Sequence, residues 1–222
     1  MSSAVQRLVI VGAGGHGRET LDVVEAINAA GAGPRYEVLG FFANEADDEL
    51  LARRGATRLG GSHELLALLL DPAHADVRYH LGIGSSATRS RIDADLDDAG
   101  VADRAETLVH PRATTGSDLR LGPGVFLAAG AVVTTNVDLG RHTHLNVNAV
   151  VSHDCVIGDH VTLSPGVLVN GNVTIGESAF LGSGAVVLPG RSIGAHTKIA
   201  AGAVVSTSVP AGVTAIGVPA RW

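Results

Sequence analysis

The chain has 222 residues, 45% of them hydrophobic but only 3% aromatic, with a formal charge of −6 and a single cysteine. An acidic balance with no basic stripe argues against a nucleic-acid or anionic-membrane partner, and one cysteine excludes an internal disulfide framework. No run approaches the ~20 apolar residues of a membrane span, and Leu8 to Gly15 is too short and glycine-rich for a signal segment, so a soluble cytoplasmic protein with no membrane insertion is expected.

The first hundred residues alternate strand and helix signals. Leu8 to Val11 reads as a buried strand, followed by Gly12-Ala13-Gly14-Gly15-His16-Gly17 and a helical pattern from Arg18 to Ala29. A second strand fits Val38 to Phe42, and a helix fits His63 to Leu70. Tyr79 to Gly84 reads as a third strand and turn, and Ser86 to Ala99 as a helix. This βαβαβα order implies a small parallel sheet, a Rossmann-like α/β domain over residues 1–106. Gly12, Gly14 and Gly17 match a dinucleotide fingerprint. However, the unit is too small for two mononucleotide halves, and Ala43 and Asn44 stand where an acidic residue should end the second strand. The glycines are also compatible with a purely geometric strand-to-helix turn.

From about Thr107 the pattern changes. Fifteen positions six apart, from Leu121 through Val151 and Ile175 to Val205, are all Leu, Ile or Val, without an insertion. A period of six fits neither an α-helix nor a hairpin meander and marks a solenoid. Four residues after most of these aliphatics stands a small or β-branched residue such as Ala131, Ala149, Cys155 or Val173, with Arg191 the plain exception. The residue following the aliphatic is commonly Gly or Asn, which reads as the corner of each hexad.

Hexads such as Val156-Ile157-Gly158-Asp159-His160-Val161 and Thr174-Ile175-Gly176-Glu177-Ser178-Ala179 resemble those of the hexapeptide-repeat acyltransferases. The resemblance implies a left-handed parallel β-helix over residues 107–222, three hexads to a triangular coil. Five coils would rise ~24 Å. The glycine turn ahead of such a domain, and the closing Gly217-Val218-Pro219-Ala220-Arg221, narrow the resemblance to the sugar acyltransferases related to bacillosamine, perosamine and sialic-acid modifying enzymes. In that family the small first domain grips a nucleotide-linked sugar, which implies substrate contacts at Gly14, Gly15, His16 and Gly84, with Asn146 touching the sugar. Many relatives carry acidic residues where this chain has Ala43 and Asn44, so the nucleotide base is not implied.

Of the histidines in the repeat, His153 stands out. It lies two residues after the inward Val151, so its ring should leave the prism, and the residues 18 away in either direction are Thr135 and Gly171. Because Gly171 lacks a side chain, an open slot beside the imidazole is expected. Ser152-His153-Asp154-Cys155-Val156-Ile157-Gly158 matches the family segment whose histidine is the general base. By the same resemblance, Asp154 orients that ring or raises its basicity. Imidazole suits proton removal from an amine attacking a thioester, because it titrates near neutral pH. The resemblance further implies acetyl-CoA as co-substrate, contacted at Gly171, Ser183 and Ala201 in a cleft between copies of a homotrimer. Cys155 falls on an inward slot and reads as a packing thiol. Thr162 replaces a histidine that borders the cofactor in some relatives, so it is given no catalytic role.

The expected activity is therefore N-acetylation of a nucleotide-linked 4-amino-deoxysugar in glycan synthesis. Sialic-acid-type O-acetylation and a non-catalytic sugar-nucleotide binding protein are the alternatives. A zinc site shared by His142, His144 and His153, as in trimeric β-helix hydratases, is a further competing chemistry. No carbonic-anhydrase-like pattern accompanies those histidines, and no metal is expected.

Overall fold

The structure, a computed structural model, describes residues 5–31 and 33–222. The chain forms two compact units, one of residues 1–84 and 91–111, the other of residues 85–90 and 112–222. Among the described residues no helix is long and apolar enough to cross a membrane.

In the first unit, strands β1 (Val5–Val11), β2 (Arg35–Phe42), β3 (Arg58–Gly60) and β4 (Arg78–Leu81) form a parallel sheet in the order β3-β2-β1-β4. The helices are α1 (Gly15–Ala30), α2 (Asp48–Ala52), α3 (Ser62–Leu70) and α4 (Ser86–Asp98), residues 86–90 of α4 being part of the second unit. Alternation along β1 buries both faces of the sheet. Val9 and Val11 pack with Leu65, Leu69 and Leu96, whereas Ile10 packs with Leu21, Phe41 and Leu51. A strand covered on both sides is what a short, wholly apolar run in a parallel sheet requires.

Two features depart from the sequence expectation. Helix α1 begins at Gly15, not Arg18, because the glycine turn itself supplies its first residues, with Gly14 as an extended N-cap. In addition, α2 and β3 lie between the second strand and α3. Asp47 caps α2 by accepting from Leu50 N at 3.0 Å. Strand β3 is a three-residue edge strand whose exposed Arg58 and Leu59 carry no burial signal.

The second unit is a parallel β-helix. Its walls are three sheets of two- or three-residue strands, and equivalent residues on successive strands are 18 apart, as in Val137↔Cys155, Leu145↔Leu163 and Val150↔Leu168. The repeated aliphatics from Leu127 to Val205 are at most 2% exposed, and the small or β-branched residues four places on are buried beside them. Each fully buried aliphatic contributes about 1.5–3 kcal/mol. The spacing shortens at the end, where Lys198 pairs with Thr214.

The corners obey a rule finer than the sequence reading. The left-handed backbone conformation falls three residues after the aliphatic, in three columns spaced 18 apart: Asp118, Asn136, Asp154, Asn172, Gly190; then Gly124, His142, His160, Ser178, His196; then Gly130, Asn148, Gly166, Gly184, Gly202. Glycine, Asn, Asp and His tolerate that region best. The glycines directly after the aliphatics answer a different need. A Cβ on Gly158 or Gly182 would approach the next coil's backbone to 2.7 or 2.6 Å.

Candidate active site

His153 and Asp154 occupy one of these corners, where φ of +59° at Asp154 turns the chain sharply enough for neighbouring side chains to meet. His153 Nδ1 lies 2.7 Å from Asp154 Oδ2. Sequence alone did not decide whether adjacency allows this bond, and the left-handed corner provides it. Hydrogen bonds from Asn136, and then from His153, hold the Asp154 carboxyl below the usual carboxylate range. An ionised carboxylate can only accept, so Nδ1 carries the hydrogen and the Nε2 lone pair is left free. The two side chains are 55% and 43% exposed, which leaves the ring open to a reactant.

Gly171, 18 residues on in the next coil, is covered by the ring. A Cβ there would come within 2.7 Å of Nε2 and closer still to Cε1. The slot expected beside the imidazole is thus not open: the ring itself fills it. The carbonyl of His153 accepts from Asn172 N at 3.0 Å, and Asp154 N donates to Thr135 O at 3.2 Å, so the corner is tied to the coils on both sides. Cys155 is buried, its Sγ 3.2 Å from Asn170 O, and burial raises its thiol pKa. Both observations fit a packing residue better than a nucleophile.

The glycines of the first unit fall into two groups. Gly12 sits at φ +102°, and a Cβ there would lie 2.7 Å from Ile83 and 2.8 Å from Gly82 O; a Cβ on Gly17 would collide with the Gly12 carbonyl. These two are demanded by strand-to-helix geometry. Gly14, Gly15 and Gly84 have no left-handed φ, and a Cβ on any of them would meet nothing within 4 Å. The protein's own packing does not explain these three. His16 Nδ1 lies 3.1 Å from Glu19 Oε2.

The remaining expected contacts are dispersed. Asn146 donates from Nδ2 to Leu163 O at 2.9 Å, so the acceptor Oδ1 takes no part in that bond. Ser183 and Ala201 are exposed and 18 residues apart, adjacent on a corner other than that of His153 and Gly171. Thr162 is 3% exposed, its Oγ1 accepting from Arg89 Nη2 at 2.9 Å and lying 3.0 Å from Ser86 Oγ. Arg89 also donates to His142 O, His160 O and Val161 O, and burial pushes its guanidinium down to about 9. The hexad count gives no sign of this arginine, because it comes from outside the repeat. His142 and His144 are wholly buried, the former stacked on His160 at 5.9 Å. Among the described residues no three His, Cys, Asp or Glu side chains converge as metal ligands.

Residues 7–96 match the PglD N-terminal domain family, and residues 172–207 match the bacterial transferase hexapeptide (six repeats) family. No curated protein sequence matches the chain. Among solved structures, PerB from Caulobacter crescentus in complex with CoA and GDP-perosamine is 34% identical, over 100% of this chain and 99% of that one, with a TM-score of 0.82. The acetyltransferase domain of PglB from Neisseria gonorrhoeae, in complex with acetyl coenzyme A, is 30% identical over 98% and 99% of the two chains, with a TM-score of 0.83. WeeI from Acinetobacter baumannii is 30% identical over 98% and 99%, with a TM-score of 0.80.

Proposed function

The chain belongs to the hexapeptide-repeat acetyltransferases that open with a PglD N-terminal domain, and from that premise we propose that it transfers an acetyl group from acetyl-CoA to the amino group of a nucleotide-linked 4-amino-deoxysugar. The observation that carries this reading is the His153–Asp154 pair at 2.7 Å on an exposed ring, which leaves Nε2 as the lone-pair nitrogen.

In this reaction the amine nitrogen attacks the thioester carbonyl and a C–N bond forms. Nε2 of His153 takes the proton that the nitrogen must lose, and Asp154 stabilises the imidazolium that results. When the C–S bond breaks, the imidazolium returns the proton to the departing sulfur, leaving an acetamide, a free thiol and the starting form of the base. Gly14, Gly15, His16 and Gly84 bind the nucleotide sugar. The bare Gly14, Gly15 and Gly84 let backbone N–H groups approach its phosphates, as helix N-termini favour. Asn146 offers Oδ1 to the sugar. Gly171, Ser183 and Ala201 line the path of the acetyl-CoA arm.

Those three residues lie on two corners of one prism, so a single prism does not gather them. A homotrimer, in which His153 of one copy faces the exposed turns of the next, completes the site. The names of the relatives favour nitrogen over oxygen as the acceptor, because two mutants of a perosamine N-acetyltransferase from Caulobacter crescentus are 31% and 32% identical to this chain. Acetyl-CoA and nucleotide sugars as substrates fit a cytoplasmic step of glycan assembly.

The test is thiol release from acetyl-CoA against UDP-, GDP- and dTDP-linked 4-amino sugars and their 4-hydroxy counterparts. Release with amino sugars alone is expected, and His153→Ala should lower it by ~10²–10⁴-fold with the trimer intact. Release with hydroxyl acceptors alone overturns N-acetylation, and a variant of near-wild-type rate overturns the base.

A further inference from the structure

The His153–Asp154 pair is exposed, and a lone hydrogen bond between two exposed side chains is a weak constraint on geometry. The carboxylate torsion of an aspartate is soft, so one contact through Oδ2 does not stop the group from swinging. A second contact does. Asn136, one coil below and 18 residues earlier, places its Nδ2 3.0 Å from Asp154 Oδ1. Each carboxylate oxygen then holds one donor, Asn136 on one side and His153 on the other.

From this arrangement we infer that Asn136 is a positioning residue for the acetyl transfer: its amide fixes the plane of the Asp154 carboxylate, and through it the tautomer and aim of His153. The inference rests on the reading of His153 as the base. Three observations support it. Asn136 and Asp154 share the same left-handed corner, at φ +55° and +59°, so their side chains leave the stack in parallel. The acceptor-only carboxylate determines which end of the Asn136 amide faces it. The Asn136 bond is also the largest cause of the lowered Asp154 pKa, ahead of His153.

Asparagine is favoured at left-handed corners for backbone reasons alone, and Asn136→Gly separates the two roles. Glycine keeps the corner and deletes the amide. A substrate-free measurement is decisive: long-range 1H–15N NMR of 15N-histidine-labelled full-length protein, with His153 assigned by the signal lost in His153→Ala. Wild type should show His153 protonated at Nδ1. In Asn136→Gly the expected result is a mixture of tautomers with an unchanged thermal midpoint, and in Asp154→Ala the preference should vanish. A wild-type tautomer in Asn136→Gly overturns the inference.

Kinetics on whichever acceptor of the panel is turned over add a second readout. Asn136→Gly should lower kcat by about 10-fold with little change in KM, and should lower it no further when Asp154 is already Ala, because coupled residues are non-additive. Asn136→Asp sets two carboxylates side by side. Its activity should recover towards acid, where the pair shares a proton. Full additivity of the Asn136 and Asp154 effects would also overturn the inference. A His153→Ala variant of unchanged rate would instead sink the catalytic reading, while leaving the tautomer result intact.

Discussion

The imidazole of His153 lies over Gly171 so closely that a Cβ on the glycine would stand 2.7 Å from Nε2. Gly171 has no left-handed φ, so alanine fits the backbone there and only the ring must yield. Gly171→Ala is therefore expected to fold normally and to swing the base out of line. kcat should fall by about 10²-fold or more, since misplacement of this size is costly in a proximity-controlled reaction. Steady-state thiol release beside a thermal melt checks both halves, and an active variant would show that the ring need not rest on the glycine.

The two groups of glycines in the first unit make opposite predictions. Gly15→Ala adds a methyl group that meets nothing within 4 Å of protein. Stability should stay within about 0.5 kcal/mol of wild type, while KM for the nucleotide sugar rises. Gly17→Ala drives a Cβ into the Gly12 carbonyl and should destabilise the unit outright. Denaturant midpoints and KM for the two variants, compared side by side, test the division.

The two groups also show how far the sequence could be read. Gly12, Gly14, Gly15 and Gly17 look alike as letters, and only packing separates those that bear on β1 and α1 from those that face outward. In the prism the inward series from Leu127 to Val205 was fully legible, because period six fixes which side chains enter the core. The left-handed column three places later was not, since Gly, Asn, Asp, His and Ser all serve there. That hid Asn136, whose relation to Asp154 exists only across the 18-residue rise. Short α2 and β3 escaped because neither carries a buried face long enough to set a period.

Arg89 yields a stability prediction. Its guanidinium donates to His142 O, His160 O, Val161 O and Thr162 Oγ1 while wholly buried. Arg89→Met keeps the apolar stem but strips donors from buried carbonyls. It should cost about 2–4 kcal/mol. Equilibrium unfolding measures it, and a loss under about 0.5 kcal/mol would mean that other partners take over those acceptors.

Cys155 tests the closure of the prism. The thiol is buried and its pKa is raised by that burial, so both access and thiolate content are low. Native protein should resist a maleimide reagent at neutral pH and react fully once unfolded. The sign of the pH effect follows from the raised native value: the contribution to stability is complete below the unfolded thiol's pKa and is lost as pH climbs through the native one. Rapid labelling of folded protein would reveal an open coil.

Asp154→Asn probes catalysis and acid stability together. The amide would turn an N–H toward Nδ1 of His153, so the ring would take the other tautomer, with the hydrogen on Nε2, and lose the lone pair needed as base. A fall in kcat of ~10²–10⁴-fold is expected. In the wild type, Asn136 and His153 hold the Asp154 pKa down, so its contribution to stability is present above the ordinary carboxylate pKa and disappears as pH falls through the lowered native value. The gap in thermal midpoint between wild type and Asp154→Asn should accordingly narrow on acidification from about pH 6 to about pH 3. A gap that stays constant over that range would mean the carboxylate gains nothing from its partners, and a variant of undiminished kcat would mean that the tautomer of His153 is set elsewhere.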